Sequence, residues 1–180
     1  IFDKGKVTAQ GFGVTNIYNP LPVTDTTLFQ VGSITKTFTG TLIMRLVEQG
    51  KLELDAPVRT YLPDFRVADA EVSAQATVRH LMTHLGCWEG DLFIETGSGE
   101  DAIAKYVGAM AEQTQLAPLG KYWSYNNSGF SVLGLLLEKI NGEAYEKVLR
   151  TQLLEPLGLT HAYITPTDVM TYRYVAGHSV

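Results

Sequence analysis

The hydrophobic residues of this 180-residue chain fall mostly into helical patterns. Within residues 34–49, apolar side chains recur at positions 38, 42, 43, 46 and 47, which places them on one face of a helix. Gly50 follows at the point where a helix commonly ends in a left-handed residue. The pattern therefore predicts a helix over residues 34–49 with one buried face.

Shorter helical patterns follow along the chain. A short helix is predicted to begin within residues 77–83, and Gly142 and Pro156 supply stop signals further on. Two stretches are predicted to be loops: residues 52–65, which contain two prolines, and residues 86–99, which contain four glycines. The helical region as a whole is predicted to extend over residues 77–156, with its other helices at 101–113, 128–141 and 143–154.

The first fourteen residues are predicted to form a hairpin. Ile1 and Phe2 precede an Asp-Lys-Gly turn, and a strand is expected from about Lys6 to Val14. A two-stranded hairpin alone is marginally stable in water and requires further strands or a helix to pack on. We therefore expect that strands of the sheet are missing from this chain.

Composition limits the classes of protein to consider. Apolar residues make up 45% of the chain, which is typical of a packed globule, and the net charge of −5 argues against nucleic acid or an anionic membrane as the main partner. No run of 18 apolar residues is present, so the sequence predicts no membrane-spanning segment. The single cysteine, Cys87, rules out an intrachain disulfide framework.

A serine and a lysine lie three residues apart at the predicted start of helix 34–49, in the stretch LFQVGSITKTFT. Residues at this spacing share a helical face, with about 5–6 Å between their Cβ atoms. Ser33 would benefit from the N–H groups and positive dipole of the helix N-terminus, and Lys36 could accept its proton if the amine is neutral. The alternative is a serine N-cap followed by a solvated lysine. Gly32 and the lack of a capping-box glutamate favour the catalytic interpretation.

A second candidate cluster precedes the helix predicted over 128–141, in the stretch SYNNSGF. The phenol of Tyr125 could relay a proton between a base and a leaving group, and the amide of Asn127 could hold a substrate carbonyl or the lysine. The structural alternatives are a helix N-cap for Asn127 and a half-buried aromatic for Tyr125. Tyr125 and Asn127 support a catalytic interpretation only in combination with Ser33 and Lys36.

Together the two clusters resemble the serine β-lactamase and penicillin-binding-protein superfamily, most closely its class C β-lactamase-like branch. That branch includes D-Ala-D-Ala carboxypeptidases, D-aminopeptidases and esterases. The resemblance extends over DTTLFQVGSITKTFTGTLIMRLVEQGKLELDAPVRTYLPDF, ATVRHLMTHLG and PLGKYWSYNNSGFSVLGLLLEKINGEAYEKVLRTQLLEPLGLTHAYI, which is nearly the whole chain. It implies an α+β fold in which a helical cluster packs on an antiparallel β-sheet, incomplete in this chain, so that residues 1–180 form a partial domain.

The resemblance also implies roles for individual residues. Ser33 would be the acylated nucleophile and Lys36 its general base, Tyr125 would shuttle the proton, and Asn127 would bind substrate. The reaction would be acyl transfer to serine followed by hydrolysis, without a metal or another cofactor. The substrate would be a small molecule or a peptidoglycan-like peptide: a β-lactam, a D-amino peptide or an ester. The alternative is a penicillin- or peptide-binding pseudoenzyme of the same fold.

The sequence departs from the family pattern in two places. The family usually has His-Thr-Ser-Gly-Leu after its second short helix, but here His84 is followed by Leu-Gly-Cys-Trp. The third motif, Lys-Thr-Gly or His-x-Gly on a strand, is absent, and Gly177-His178-Ser179 is a poor substitute. We therefore expect the remaining C-terminal half of the same protein to supply this motif, and the 180 residues alone to be inactive. The resemblance favours a periplasmic or secreted location.

Other candidate sites are weaker. His80 and His84 have the i, i+4 spacing of a zinc pair, but no third ligand is near in sequence, so we predict hydrogen bonding at a helix end and no metal. Cys87 is predicted to be an ordinary thiol. Asn126 begins a glycosylation sequon that falls on the candidate active site, where a glycan would block access. Trp88 and Trp123 are predicted to be buried aromatics.

Overall fold

The structure, a computed structural model, describes residues 1–178. The chain divides into two compact units. The smaller unit combines Ile1–Ser33 with the segment that begins at His161, and the larger unit is Ile34–Thr160. Ser179, the last residue of the weak candidate for the third motif, lies outside the described residues.

The smaller unit begins with a short hairpin. Its strands β1 (Phe2–Asp3) and β2 (Lys6–Val7) pair antiparallel. Lys4 and Gly5 between them have φ angles of 47° and 83°, as a two-residue hairpin turn requires. The prediction that the second strand continues to Val14 is wrong. Both strands have only exposed residues, so no buried face favours a longer ladder.

Contacts between distant segments complete the smaller unit. Leu28 forms an isolated parallel bridge with Tyr174. The N–H of Leu28 donates to the carbonyl of Arg173 at 2.8 Å, and the N–H of Val175 donates to the carbonyl of Leu28 at 3.0 Å. The one-turn helix Pro166–Val169 lies in the same unit and is not predicted from the sequence. The segment that leads to Ser33 is thus held by residues near the end of the chain.

The larger unit is helical. Short stretches of tighter or wider helix extend two of its α-helices: the 3₁₀ turn Met110–Glu112 and the π-helical segment Arg150–Leu154. A further 3₁₀ turn covers Val58–Thr60. The α-helices of this unit are α1 (Thr35–Glu48), α2 (Ala70–Gln75), α3 (Val78–Met82), α4 (Ala102–Ala109), α5 (Asn127–Asn141) and α6 (Tyr145–Leu149).

These helices agree with the predicted ones except in three places. The α-helix predicted over 101–113 ends at Ala109, and the one predicted over 143–154 ends at Leu149, because 3₁₀ and π geometry continue them. Helix α2 was not predicted, since six residues are too few to show a helical period. Its start is fixed instead by Asp69, whose carboxylate accepts two backbone N–H groups at 2.9 Å.

Helix α5 forms the centre of the core of the larger unit. It contacts α1, α3, α4 and α6. Trp88 is fully buried, as predicted, and its Nε1 donates to the hydroxyl of Ser128 at 3.2 Å. The side chains with the lowest exposure include Leu42, Ile43 and Leu46 of α1 and Val132, Leu133, Leu136 and Leu137 of α5. This packing holds the N-terminal turns of α1 and α5 at fixed positions in the unit.

Asn126 fixes the N-terminus of α5. This buried side chain accepts hydrogen bonds from the N–H of Gly129 at 2.7 Å and the hydroxyl of Ser128 at 2.9 Å, and it donates to the carbonyl of Trp88 at 3.2 Å. The N-cap is therefore Asn126, not Asn127, and a buried asparagine is a poor glycosylation acceptor.

We expect the Asn126→Ala substitution to lower the free energy of unfolding by about 2–3 kcal/mol, because it removes a cap and leaves buried polar groups unpaired. Urea unfolding measures this loss. Asn19→Ala, a change at an exposed loop position, is the matched control and should cost less than about 0.5 kcal/mol. A loss for Asn126→Ala no larger than that of the control would contradict the assignment.

Candidate active site

Ser33 lies in the 3₁₀ turn Gly32–Ile34, which leads directly into α1. Gly32 has a φ angle of 51°, a left-handed conformation that favours glycine. The N-cap position of α1 is Ile34, so Ser33 does not occupy the N-cap position that was its structural alternative. Its side chain is exposed. The serine therefore stands at an accessible turn three residues before Lys36.

The structure brings Lys36, Tyr125 and Asn127 together within the larger unit. The Nζ atom of Lys36, in the first turn of α1, donates to Oδ1 of Asn127 at 2.6 Å. The same atom lies 4.8 Å from the centroid of the Tyr125 ring and 5.5 Å from that of Phe130, which are cation–π distances. The amine is thus held by an amide oxygen and two aromatic faces rather than extended into water.

Asn127 is the first residue of α5, and its amide makes two contacts. Its Oδ1 accepts from Lys36, and its Nδ2 donates to Oδ1 of Asp91 at 2.6 Å. The backbone N–H groups of Asn127 and Ser128 donate to the carbonyl of Gly90 at 2.8 and 2.9 Å. A Cβ atom on Gly90 would lie 2.5 Å from the carbonyl oxygen of Tyr125, so only glycine fits there. The loop at Gly90 therefore fixes the start of α5.

His84 supports the segment that carries Tyr125. Its Nδ1 accepts from the N–H of Asn126 at 3.0 Å, and its ring centroid lies 4.6 Å from that of Tyr125. Trp123 contacts the same imidazole edge-on at 5.7 Å. The prediction that Trp123 is buried is wrong: it is 66% exposed, because it lies over His84 at the surface rather than in the core. Sequence reasoning missed the supporting roles of His84, Phe130 and Asp91.

His80 and His84 use their ring nitrogens in two separate hydrogen bonds. The N–H of Thr77 donates to Nδ1 of His80 at 3.2 Å in a capping box, while Nδ1 of His84 accepts from Asn126. Both imidazoles therefore hydrogen-bond at helix ends, as predicted. Within residues 1–178, no group of three or more His, Cys, Asp or Glu side chains could hold a metal ion. Cys87 is buried, with its Sγ 3.2 Å from the carbonyl oxygen of Tyr122.

The two histidines make stability depend on pH. Burial lowers the pKa of His80 and of His84, and the charge of Lys36 lowers that of His84 further. Below the unfolded value of about 6.5 the unfolded chain binds more protons than the folded protein, so acidification favours unfolding. We expect the unfolding temperature to fall as pH is lowered from 7.5 to 5.5.

The His80→Gln substitution tests this pH dependence. Glutamine can replace histidine in the capping box but does not titrate. Differential scanning calorimetry should therefore show a smaller fall in unfolding temperature between pH 7.5 and 5.5 than in the parent. An equal fall in both proteins would contradict the role of His80. Asp55 and Asp101, whose pKa values are lowered by Arg79 and Lys105, act only at lower pH.

Solved structures show the class of protein that this fold defines. The octameric penicillin-binding protein homologue from Pyrococcus abyssi matches 95% of this chain with a TM-score of 0.78 and 32% identity, over 41% of its own length. SurE, solved with D-Leu, matches 98% with a TM-score of 0.78 and 29% identity, over 40% of its length. The fold is thus that of penicillin-binding proteins and serine β-lactamases, and the predicted α+β class is confirmed.

The chain belongs to the β-lactamase family, whose model, described as Beta-lactamase, matches residues 1–180. The resemblance inferred from the two motifs is therefore confirmed. Penicillin-binding protein 4 of Amycolatopsis lactamdurans is 35% identical over 178 residues, which are 99% of this chain and 47% of that protein. The chain spans about half the length of the curated relatives it matches. Family membership supports a serine-hydrolase type of function.

The described part of the chain contains no helix long and apolar enough to cross a membrane.

Proposed function

We propose that the protein is a serine acyl-hydrolase that acts on a β-lactam, a D-amino peptide or an ester through an acyl-serine intermediate. The observation that carries this proposal is the position of the Lys36 amine, 2.6 Å from Oδ1 of Asn127 and on the face of the Tyr125 ring. Because Lys36 follows the exposed Ser33 by three residues, this enclosure of its amine supports the proposal that it is the proton acceptor for that serine.

In the proposed reaction, the Ser33 hydroxyl attacks the substrate carbonyl carbon and its proton passes to Lys36. Tyr125 relays this proton from Lys36 to the leaving nitrogen or oxygen as the bond to the leaving group breaks and the acyl–serine ester forms, so the phenol and the amine return to their starting states. The backbone N–H of Ser33 donates to the developing oxyanion, and the Asn127 amide contacts the substrate as well as the amine. Water then attacks the ester, which releases the acid and restores the Ser33 hydroxyl.

The names of relatives support a substrate of the D-amino peptide or β-lactam type. Penicillin-binding protein 4 is named for penicillin binding, and SurE was solved with D-Leu. A β-lactam presents the carbonyl of a strained amide. A D-amino peptide presents the carbonyl of an amide next to a D-configured carbon. The proposal therefore places these two ahead of simple esters.

Incubation of the full-length protein with a fluorescent penicillin tests the proposal. Peptide mass spectrometry should find the acyl adduct on Ser33, and a chromogenic cephalosporin or a D-Ala-D-Ala peptide should show a burst followed by turnover. An adduct without turnover would indicate the penicillin-binding pseudoenzyme instead. Turnover with no adduct on the Ser33 peptide would contradict the assignment of the nucleophile.

A further inference from the structure

Asp91 contacts the candidate site through a residue on another element. Its Oδ1 accepts from Nδ2 of Asn127 at 2.6 Å, across 36 residues of sequence. The backbone carbonyl of the preceding residue, Gly90, accepts hydrogen bonds from the backbone N–H groups of Asn127 and Ser128. Asn127, the first residue of α5, therefore donates two hydrogen bonds to this loop, one to the backbone carbonyl of Gly90 and one to the carboxylate of Asp91.

The chemistry of the three side chains makes the orientation of the Asn127 amide unique. A carboxylate is only an acceptor, whereas an amide offers one oxygen and one NH₂ group, and a lysine amine has N–H groups to donate in either protonation state. The oxygen must face Lys36 and the NH₂ group must face Asp91, as observed. A flipped amide would bring its oxygen against the carboxylate, and the hydrogen bond to Asp91 would be lost.

We propose that Asp91 is a positioning residue, whose carboxylate holds the Asn127 amide with its oxygen toward the Lys36 amine. This inference rests on the proposed function, because the orientation matters for catalysis only if Lys36 is the base. Without Asp91, water can satisfy the Asn127 NH₂ group in either orientation, since Asp91 is exposed and Asn127 is only partly buried. The lysine amine would then lose its fixed acceptor, the Asn127 oxygen.

A simpler role for Asp91 is electrostatic. A carboxylate near the N-terminus of a helix stabilises the helix dipole whatever its hydrogen bonds. Glu89 provides the comparison, because it is an exposed carboxylate in the same loop whose Oε2 accepts from the N–H of Thr114 at 3.2 Å instead. If Asp91 acts only as a surface charge, Asp91→Ala should change stability but leave acylation as it is in Glu89→Gln.

Stopped-flow acylation of the full-length protein by a chromogenic cephalosporin, at pH 7.5, tests the proposal. We expect Asp91→Ala to lower the limiting acylation rate about tenfold with little change in the apparent substrate affinity, the effect of one hydrogen bond to a charged group. Asp91→Glu, which keeps the acceptor, should recover most of the rate. Glu89→Gln should stay within about twofold of the parent, because it touches no residue of the site.

A second readout does not depend on turnover. In the parent, the Asn127 side-chain NH₂ group should exchange slowly with water in nuclear magnetic resonance spectra of asparagine-labelled protein. Asp91→Ala should speed this exchange, and Glu89→Gln should not. If Asp91→Ala fails to fold, Asp91→Leu, which is close in size but accepts no hydrogen bond, replaces it in both measurements with the same expected results.

These measurements distinguish a failure of the positioning role of Asp91 from a failure of the proposed function. An Asp91→Ala protein that is acylated within about twofold of the parent rate, or whose Asn127 amide exchanges as slowly as in the parent, would overturn the positioning role. A parent protein that is never acylated at Ser33 would overturn the proposed function. In that case the exchange measurement alone would still decide whether Asp91 holds the Asn127 amide.

Discussion

Replacement of Ser33 by alanine is expected to abolish acylation of the full-length protein, with a loss of rate on the order of 10⁴-fold or more. The substitution removes the only atom that the proposed mechanism acylates. Lys36 would still donate to Asn127 and rest on Tyr125, so the remaining site would be intact but without a nucleophile. Residual turnover would reflect substrate binding and water alone.

The Ser33→Ala result is informative because the substitution should cost little stability. The side chain is exposed, and Ile34 rather than Ser33 is at the N-cap position of α1. Calorimetry should give an unfolding temperature close to that of the parent. Ser98→Ala, at an exposed position in the glycine-containing loop, is the matched control and should be acylated at the parent rate. Unchanged hydrolysis by Ser33→Ala would end the nucleophile assignment.

The parts of the fold that the sequence predicts well are those with a long hydrophobic period. Helices α1 and α5 are 14 and 15 residues long, and each buries a row of aliphatic side chains, so their period is visible without any structure. Helix α2 has six residues and is defined by the side chain of Asp69, which a periodic pattern does not detect. The strand predicted to reach Val14 has no buried face that would hold it.

The candidate site shows the same division. The sequence predicts Lys36, Tyr125 and Asn127 as one group, and in the structure Lys36 contacts both Tyr125 and Asn127, the latter across 91 residues of sequence. Ser33 as nucleophile stays a prediction. The support that His84 and Asp91 give to this group could not be read from the sequence. Their partners, Asn126 and Asn127, are 42 and 36 residues away.

The loop between His84 and Asp91 has no hydrophobic period, and its conformation depends on backbone geometry. His84 and Cys87 have φ angles of 59° and 60°, which non-glycine residues rarely adopt. A Cβ atom on Gly86 would lie 2.5 Å from the ring of Trp88. These constraints come from the buried Trp88 and from α5, so the loop conformation follows from tertiary packing rather than from local sequence.

Replacement of Lys36 tests whether the amine is a base or only a positive charge. Lys36→Met removes both the charge and the proton acceptor but keeps most of the length of the side chain. Lys36→Arg keeps a cation that can donate to Asn127, yet a guanidinium group does not give up its proton in a protein. We expect both variants to lose acylation by about 10³-fold, within the range for removal of a general base.

The comparison between the two variants decides the role. If Lys36→Arg is acylated far faster than Lys36→Met, the site needs a positive charge beside Asn127 and Tyr125, and the proton acceptor must be another group. If both are equally slow, charge alone is insufficient and the amine must accept the proton. Lys105→Met, which removes an amine that pairs with Asp101 at 2.8 Å on α4, is the control for loss of a surface lysine and should retain the parent rate.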